Sequence, residues 1–455
     1  MKVAISGILP HLAVKAEHLP ARTETGIGAL MPWANRLWLV TYVAHKKGSG
    51  AGTGLFTIDD DFNLIKHPAS CVGTYANRMV HAESHQVIIG PHIIDPEGKV
   101  RTFEQLVDVR LAATARHLEN PEKMVYFLGM EGEFLEAEVS SLKVRFLFDL
   151  NRELGIKQAP HFKDAFTGHG RVVVVNNSYY PEDFLRGESE GRLAEWDGKN
   201  WKVLAKTQFN TVTGRYSSQL GTAIYAVGQD RASALFYVFL PETGWKRYRL
   251  PRGTHTQDHA WTTEWPRIRE VESERWLMDA SGIFYELPAM SYAGSVWGLV
   301  PICRHLRIIG DFCSWNGLLV MAGDQTTPIN DTNPFVGQPQ ANLWFGKTDD
   351  LWLFGKPAGW GGPWWETPVT PGRPSDPFLM TGFTPGCLHL SFQGKTSARV
   401  TLEVDFQGTG RWHPWTEIET RNGYAGYLFP EGFAAHWVRL LPHTAGVATA
   451  QFFYR

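Results

Sequence analysis

The chain has 455 residues, with 44 Lys and Arg against 46 Asp and Glu, and a formal net charge of −2. Only 20% of residues are charged, while 43% are hydrophobic and 13% aromatic, including 18 Trp, so the chain can bury a large core and falls outside the disordered class. No Lys/Arg-rich block offers an electrostatic footprint for nucleic acid, and no uncharged apolar run approaches the ~18–20 residues of a membrane span.

Met1 to Gly7 opens as a short strand pattern with no long apolar h-region and no cleavage-like site. The expected location is therefore the cytoplasm as written, or the periplasm or exterior if a leader has been removed. Cys71, Cys303, Cys313 and Cys387 include no Cys-x-x-Cys pair, which argues for free thiols rather than a disulfide framework or zinc ribbon. Helical periodicity is scarce, and the best candidate, 103–118, passes into alternation from Arg110. Short β-branched and aromatic runs punctuated by Gly, Asn, Asp and Pro predict an all-β chain.

One unit recurs: an apolar–aromatic–x–apolar strand, often closed by an acidic turn. It stands at 55–59, 134–137, 193–197, 235–238, 283–287 and 343–346, with a weaker copy near 100–103, at a mean interval of 48 residues. Two strands joined by a tight turn precede it (28–41, 265–278, 306–321), and an outer strand follows it (196–204, 241–250). Seven four-stranded units over about 25–357 predict a seven-bladed β-propeller, whose blades run to ~40–50 residues. Neighbouring blades must fill the space between them with aromatics, which explains much of the Trp content. Residues 363–365 and the Pro/Gly-rich 370–377 read as an irregular bridge, followed by strands near 388–392, 399–406, 412–418, 435–440 and 448–454. The expected division is a propeller over 1–359 and a small C-terminal β-sandwich over 360–455, with an eighth blade as the alternative.

The chain contains no His-Glu-x-x-His, Gly-x-Ser-x-Gly, Walker or dinucleotide signature. Histidines instead recur in or beside the predicted first strands: His45, His81, His85, His117, His161, His169, His255 and His259. Radial repetition turns such spacings into neighbouring positions around one axis. His45, His81, His117, His169 and His259 are thus candidate ligands for a divalent metal, Ca, Mn or Zn, because neutral imidazole is a common donor. Arg78, Glu83, Arg116 and Arg171 accompany them. The densest polar stretch, 254–269, places Glu264, Arg267 and Arg269 among Trp261 and Trp265, a mixture suited to stacking a sugar ring while gripping its hydroxyls or carboxylate. Asp311 lies on the predicted first strand of the last unit.

The stretches 26–33, 77–84, 113–118, 168–171, 263–269, 311–316 and 435–439 resemble a bacterial propeller family common in glycan-degrading organisms. In architecture the chain is similar to seven-bladed lyases acting on uronate-containing glycans, such as oligogalacturonate, ulvan and rhamnosyl-glucuronate lyases. That resemblance implies β-elimination of a carbohydrate, with a His or Tyr base and, in some members, a divalent metal held by histidines. Under this expectation His81, His117, His259, Glu83 and Glu264 are the catalytic candidates. Arg78, Arg116, Arg171, Trp261, Trp265, Arg267 and Asp311 are the substrate-binding ones. The alternatives are a glycoside hydrolase working through Glu83, Glu264 and Asp311, a non-catalytic sugar- or protein-binding propeller, and a four-histidine iron oxygenase.

Overall fold

The computed structural model describes residues 7–8, 14–15, 25–43, 53–178, 190–215, 223–254, 265–272, 275–288, 296, 298–325 and 340–455. The fold is all-β apart from one short α-helix, Leu150–Leu154, and a few 3-10 turns. Among the described residues no helix is long and apolar enough to cross a membrane.

Seven antiparallel sheets follow one another along the chain. Sheet one is Thr25–Trp33, Arg36–Val43, Leu55–Ile58 and Leu64–Lys66; sheet two is Arg78–His81, Gln86–Ile89, His92–Ile94 and Val100–Thr102. Sheet three is Leu111–Arg116, Met124–Gly129, Glu133–Glu138 and Val144–Asp149; sheet four is Phe162–Gly168, Arg171–Asn176, Arg192–Trp196 and Trp201–Ala205. Sheet five is Gln208–Gly214, Ile224–Gln229, Ala234–Leu240 and Gly244–Leu250; sheet six is Arg267–Glu272, Arg275–Ala280, Ile283–Pro288 and Val300–Arg304. Sheet seven is Ile309–Trp315, Leu318–Gln325 and Gln340–Gly346, completed by Gly7–Ile8 and Val14–Lys15 from the other end of the chain.

Each sheet is a simple meander because its strands are short and its turns are chemically specified. Ala34-Asn35, His169-Gly170 and Asn316-Gly317 all take positive φ between the first two strands of their sheets, the two-residue turn whose twist matches an antiparallel pair. The first strand of every sheet lies against the first strand of the next, and that of sheet seven lies against that of sheet one. This cyclic order fits a β-propeller. Aromatics fill the seams: Trp196 meets Phe148 at 5.3 Å between sheets three and four, Tyr225 meets Trp276 at 6.1 Å between five and six, and Phe284 meets Phe312 at 5.6 Å between six and seven.

The recurring strand of the sequence is the third strand in six of the seven sheets. In sheet two the third strand is His92–Ile94, and the weak copy near 100–103 is the fourth. The expected irregular bridge at 363–365 is instead part of a long strand, Gly359–Val369, paired with Gly446–Tyr454 through two register shifts. Pro363 is tolerated because this strand is the edge of its sheet, where a missing N–H costs no ladder bond, and the shifts absorb the misfit.

Residues beyond 358 form two further sheets. One is Gly359–Val369, Gly446–Tyr454, Pro385–Phe392 and Tyr424–Leu428; the other is Phe378–Leu379, Trp437–Pro442, Arg399–Asp405 and His413–Glu419. Leu388, Leu390 and Phe452 of the first share a core with Leu402, Val438 and Leu440 of the second. The second sheet continues sheet five through one parallel pairing, Arg249 with Phe378. Arg249 pins the junction: it is buried, donates to Asp230 and Asp376 at 2.8 Å each, and those carboxylates hold its guanidinium in the charged form against the cost of burial.

Candidate functional site

The first strands converge on a cavity of about 140 Å³. Asn77, Arg78 and Met79 line it from sheet two, Thr114 from sheet three, Lys163 and Asp164 from sheet four, Val212 and Thr213 from sheet five, and Arg267 and Arg269 from sheet six. Strand alternation places Arg267 and Arg269 on one face of the same strand.

Among the described residues, four cations therefore surround a space that one carboxylate, Asp164, enters directly. Asp311 stands behind them, fully buried: Arg78 Nε reaches Oδ2 at 3.0 Å, Arg269 Nε reaches Oδ1 at 2.7 Å, and Leu30 N donates to Oδ2 at 2.8 Å. One carboxylate thus ties sheets one, two, six and seven together. Burial works against its charge, but Arg269, Arg78 and Arg267 outweigh that and hold the carboxyl below its ordinary value. Asp164 goes the other way. Burial pushes it up despite Arg267 and Arg269 and despite donation from Thr211 Oγ1 at 2.8 Å and Val212 N at 3.1 Å.

The guanidiniums are held by backbone, which leaves donors to spare. Arg78 donates Nη1 to Leu30 O at 2.7 Å; Arg267 donates Nε to Gly310 O at 3.0 Å and Nη1 to Pro266 O at 2.9 Å; Arg269 donates Nη1 to Ile268 O at 3.1 Å. Nη2 of Arg267 and Nη2 of Arg269 make no hydrogen bond among the described residues. Burial, reinforced by Arg269, lowers Arg267 from its ordinary value, and burial brings Arg78 down to about 10. Among the described lining residues cations outnumber carboxylates, and an anion placed between Arg267 and Arg269 can take the Nη2 donors of both.

None of the described histidines lines this cavity. His81 ends the first strand of sheet two, fully buried, with Nε2 2.8 Å from Pro121 O and Nδ1 2.7 Å from Ser84 Oγ. His117 follows the first strand of sheet three. Its Nδ1 accepts from Glu119 N and Asn120 N at 3.2 and 3.0 Å, its Nε2 faces Glu136 at 3.3 Å, and its ring stacks on Tyr126 at 4.4 Å. Both nitrogens of each ring are thus committed to the surrounding loop. His117→Ala is expected to cost about 1–3 kcal/mol through the two stranded backbone donors, read as a shifted urea midpoint. His169 occupies a hairpin tip, 5.4 Å from Phe239. No group of three or more His, Cys, Asp or Glu able to hold a metal ion occurs among the described residues. His45, His255, His259, Trp261 and Glu264 lie outside the described residues.

The remaining predicted residues divide. Glu83 and Arg116 form an ion pair beside His81, whose Nε2 is 3.9 Å from Glu83. Arg171 pairs with Glu195 at 2.8 Å and lies 4.1 Å over Phe239, and Glu195 also accepts from Trp245 Nε1 at 2.9 Å, a seam between sheets four and five. Trp265 is buried, stacked on Tyr42 at 5.0 Å, with Lys163 Nζ 4.1 Å and Arg267 4.9 Å from its ring. It supports the cations rather than offering a face to a sugar. Arg78, Arg267 and Asp311 are brought together, and Arg269 joins them. Lys163 and Asp164 were missed. Their signal is two adjacent charges inside an otherwise apolar first strand, Phe162–Gly168.

No family model matches the chain, and no curated protein matches it. Among solved structures it is similar to a nidogen/laminin complex, with 12% identity over 59% of this chain and 89% of that chain, TM-score 0.34. It is also similar to U3-55K, with 7% identity over 73% of this chain and 97% of that chain, TM-score 0.41. At these scores neither likeness bears on what the chain does.

Proposed function

We propose that residues 1–359 form a seven-bladed β-propeller and 360–455 a β-sandwich, and that the central cavity takes the carboxylate of a uronate-containing carbohydrate, which the protein cleaves by β-elimination. The cyclic contact of first strands and the completion of sheet seven by 7–8 and 14–15 support seven blades. The shared core of the two last sheets supports a sandwich over an eighth blade. The observation that carries the functional reading is the pair of guanidinium donors, Nη2 of Arg267 and of Arg269, that make no hydrogen bond among the described residues and face a cavity whose one described lining carboxylate is Asp164.

The chemistry follows from that charge. A uronate carboxylate seated on Arg267 and Arg269 is neutralised, which acidifies its C5–H. Asp164, raised by burial and therefore more basic than an exposed carboxylate, takes that proton. The C5–H electrons form the C4–C5 double bond, the C4–O4 bond breaks, and the departing oxygen leaves as a hydroxyl after accepting a proton from solvent. His81 and His117 are replaced in the role of base because their ring nitrogens are committed elsewhere. That commitment also favours a second reading, a propeller that binds acidic carbohydrate without turnover.

Incubation with uronate oligosaccharides in ¹⁸O-labelled water distinguishes the outcomes. Elimination yields an ultraviolet-absorbing unsaturated uronate with no label in the new ends. Labelled, saturated ends would establish hydrolysis instead, and binding without product would establish the second reading. If no uronate binds, the proposal fails.

A further inference from the structure

Met79 lines a second, wider pocket as well as the central cavity. This outer pocket, about 390 Å³, is bounded by Met79, Val80, Ala82, Glu83 and Arg116. The two spaces thus adjoin along the first strands of sheets two and three, with Asn77, Arg78 and Thr114 inside, Val80, Ala82, Glu83 and Arg116 outside, and Met79 shared. At roughly 10–15 Å³ per water, the inner space holds about ten waters, close to one sugar residue, and the outer about thirty.

From this adjacency at Met79, and resting on the function proposed above, we infer that the outer pocket is the leaving-group subsite, which takes a neutral sugar attached to O4 of the uronate. Its surfaces suit that ligand. Met79 and the half-exposed Val80 give an apolar floor for a C–H face. The Glu83–Arg116 ion pair sets an acceptor and a donor side by side for neighbouring hydroxyls. Among the described lining residues the inner cavity gathers four cations, whereas the outer pocket pairs one cation with one anion, which suits an acidic residue inside and an uncharged one outside. The favoured substrate is then an acidic oligosaccharide read from the uronate outward.

Calorimetric titration of the full chain tests this with D-glucuronate and with a disaccharide bearing glucose on O4 of glucuronate. The disaccharide is measured in the Asp164→Asn background to suppress turnover, and glucuronate in both backgrounds as the control for folding. The disaccharide should bind about tenfold more tightly than glucuronate, the yield of one or two net hydrogen bonds. Arg116→Ala and Glu83→Gln should each remove most of that gain and leave glucuronate affinity unchanged. A disaccharide that binds no better than glucuronate overturns the subsite alone, as does a gain that survives both substitutions. Failure of glucuronate itself to bind overturns the parent reading, and the subsite with it.

Discussion

Replacing Asp311 with alanine is expected to destabilise the protein by about 3–5 kcal/mol, because it strands two partly buried guanidiniums that one fully buried carboxylate now neutralises. The side chain is fully buried, bridges Arg78 and Arg269, and accepts Leu30 N, so the change is felt in sheets one, two, six and seven at once. Urea denaturation measures the loss, and a midpoint within experimental error of the wild type would show that the arginines find other partners. The same residue has a pH signature. Its folded carboxyl lies below the unfolded value of about 3.9, so its contribution is complete above that value and is lost as pH falls through it toward the folded value. The stability gap between wild type and Asp311→Ala should therefore narrow as pH falls below about 4. Other carboxylates held low, such as Asp230, titrate in both proteins and cancel in the comparison.

Arg267→Lys is expected to weaken uronate binding by about ten- to a hundredfold, the range of one charge-assisted hydrogen bond of about 1.5–3 kcal/mol. Lysine keeps the positive charge but loses the planar fork that lets Arg267 hold Gly310 O and Pro266 O while presenting Nη2 to the cavity. Some stability is lost with those backbone bonds, so the unfolding midpoint must be followed alongside affinity. His117→Ala supplies the comparison. It also loses stability, yet His117 is outside the cavity lining, so glucuronate affinity should survive. Equal losses of affinity in both variants would mean that the arginine acts only through the fold.

The sequence alone determined the all-β class and most strand positions, because β-branched and aromatic runs and the Asn-Gly and Asp-Gly turns act locally. It singled out Arg78, Arg267 and Asp311 from the polar residues beside the predicted first strands, and the structure places those three close together. It misplaced the strand through Pro363-Trp364-Trp365, where tolerance of proline depends on an edge position that only sheet order reveals. For a related reason it left open where the rings of His81 and His117 point. Their spacing put them near the first strands, but whether a ring nitrogen points to an axis or to a carbonyl such as Pro121 O depends on loop geometry. Lys163 and Asp164 gain meaning only beside Arg267 and Arg269, about a hundred residues away in the chain. The tertiary structure decided the site because electrostatic pairing acts through space: which cations share one carboxylate, and which keep a donor to spare, is set by the order of sheets around the cavity.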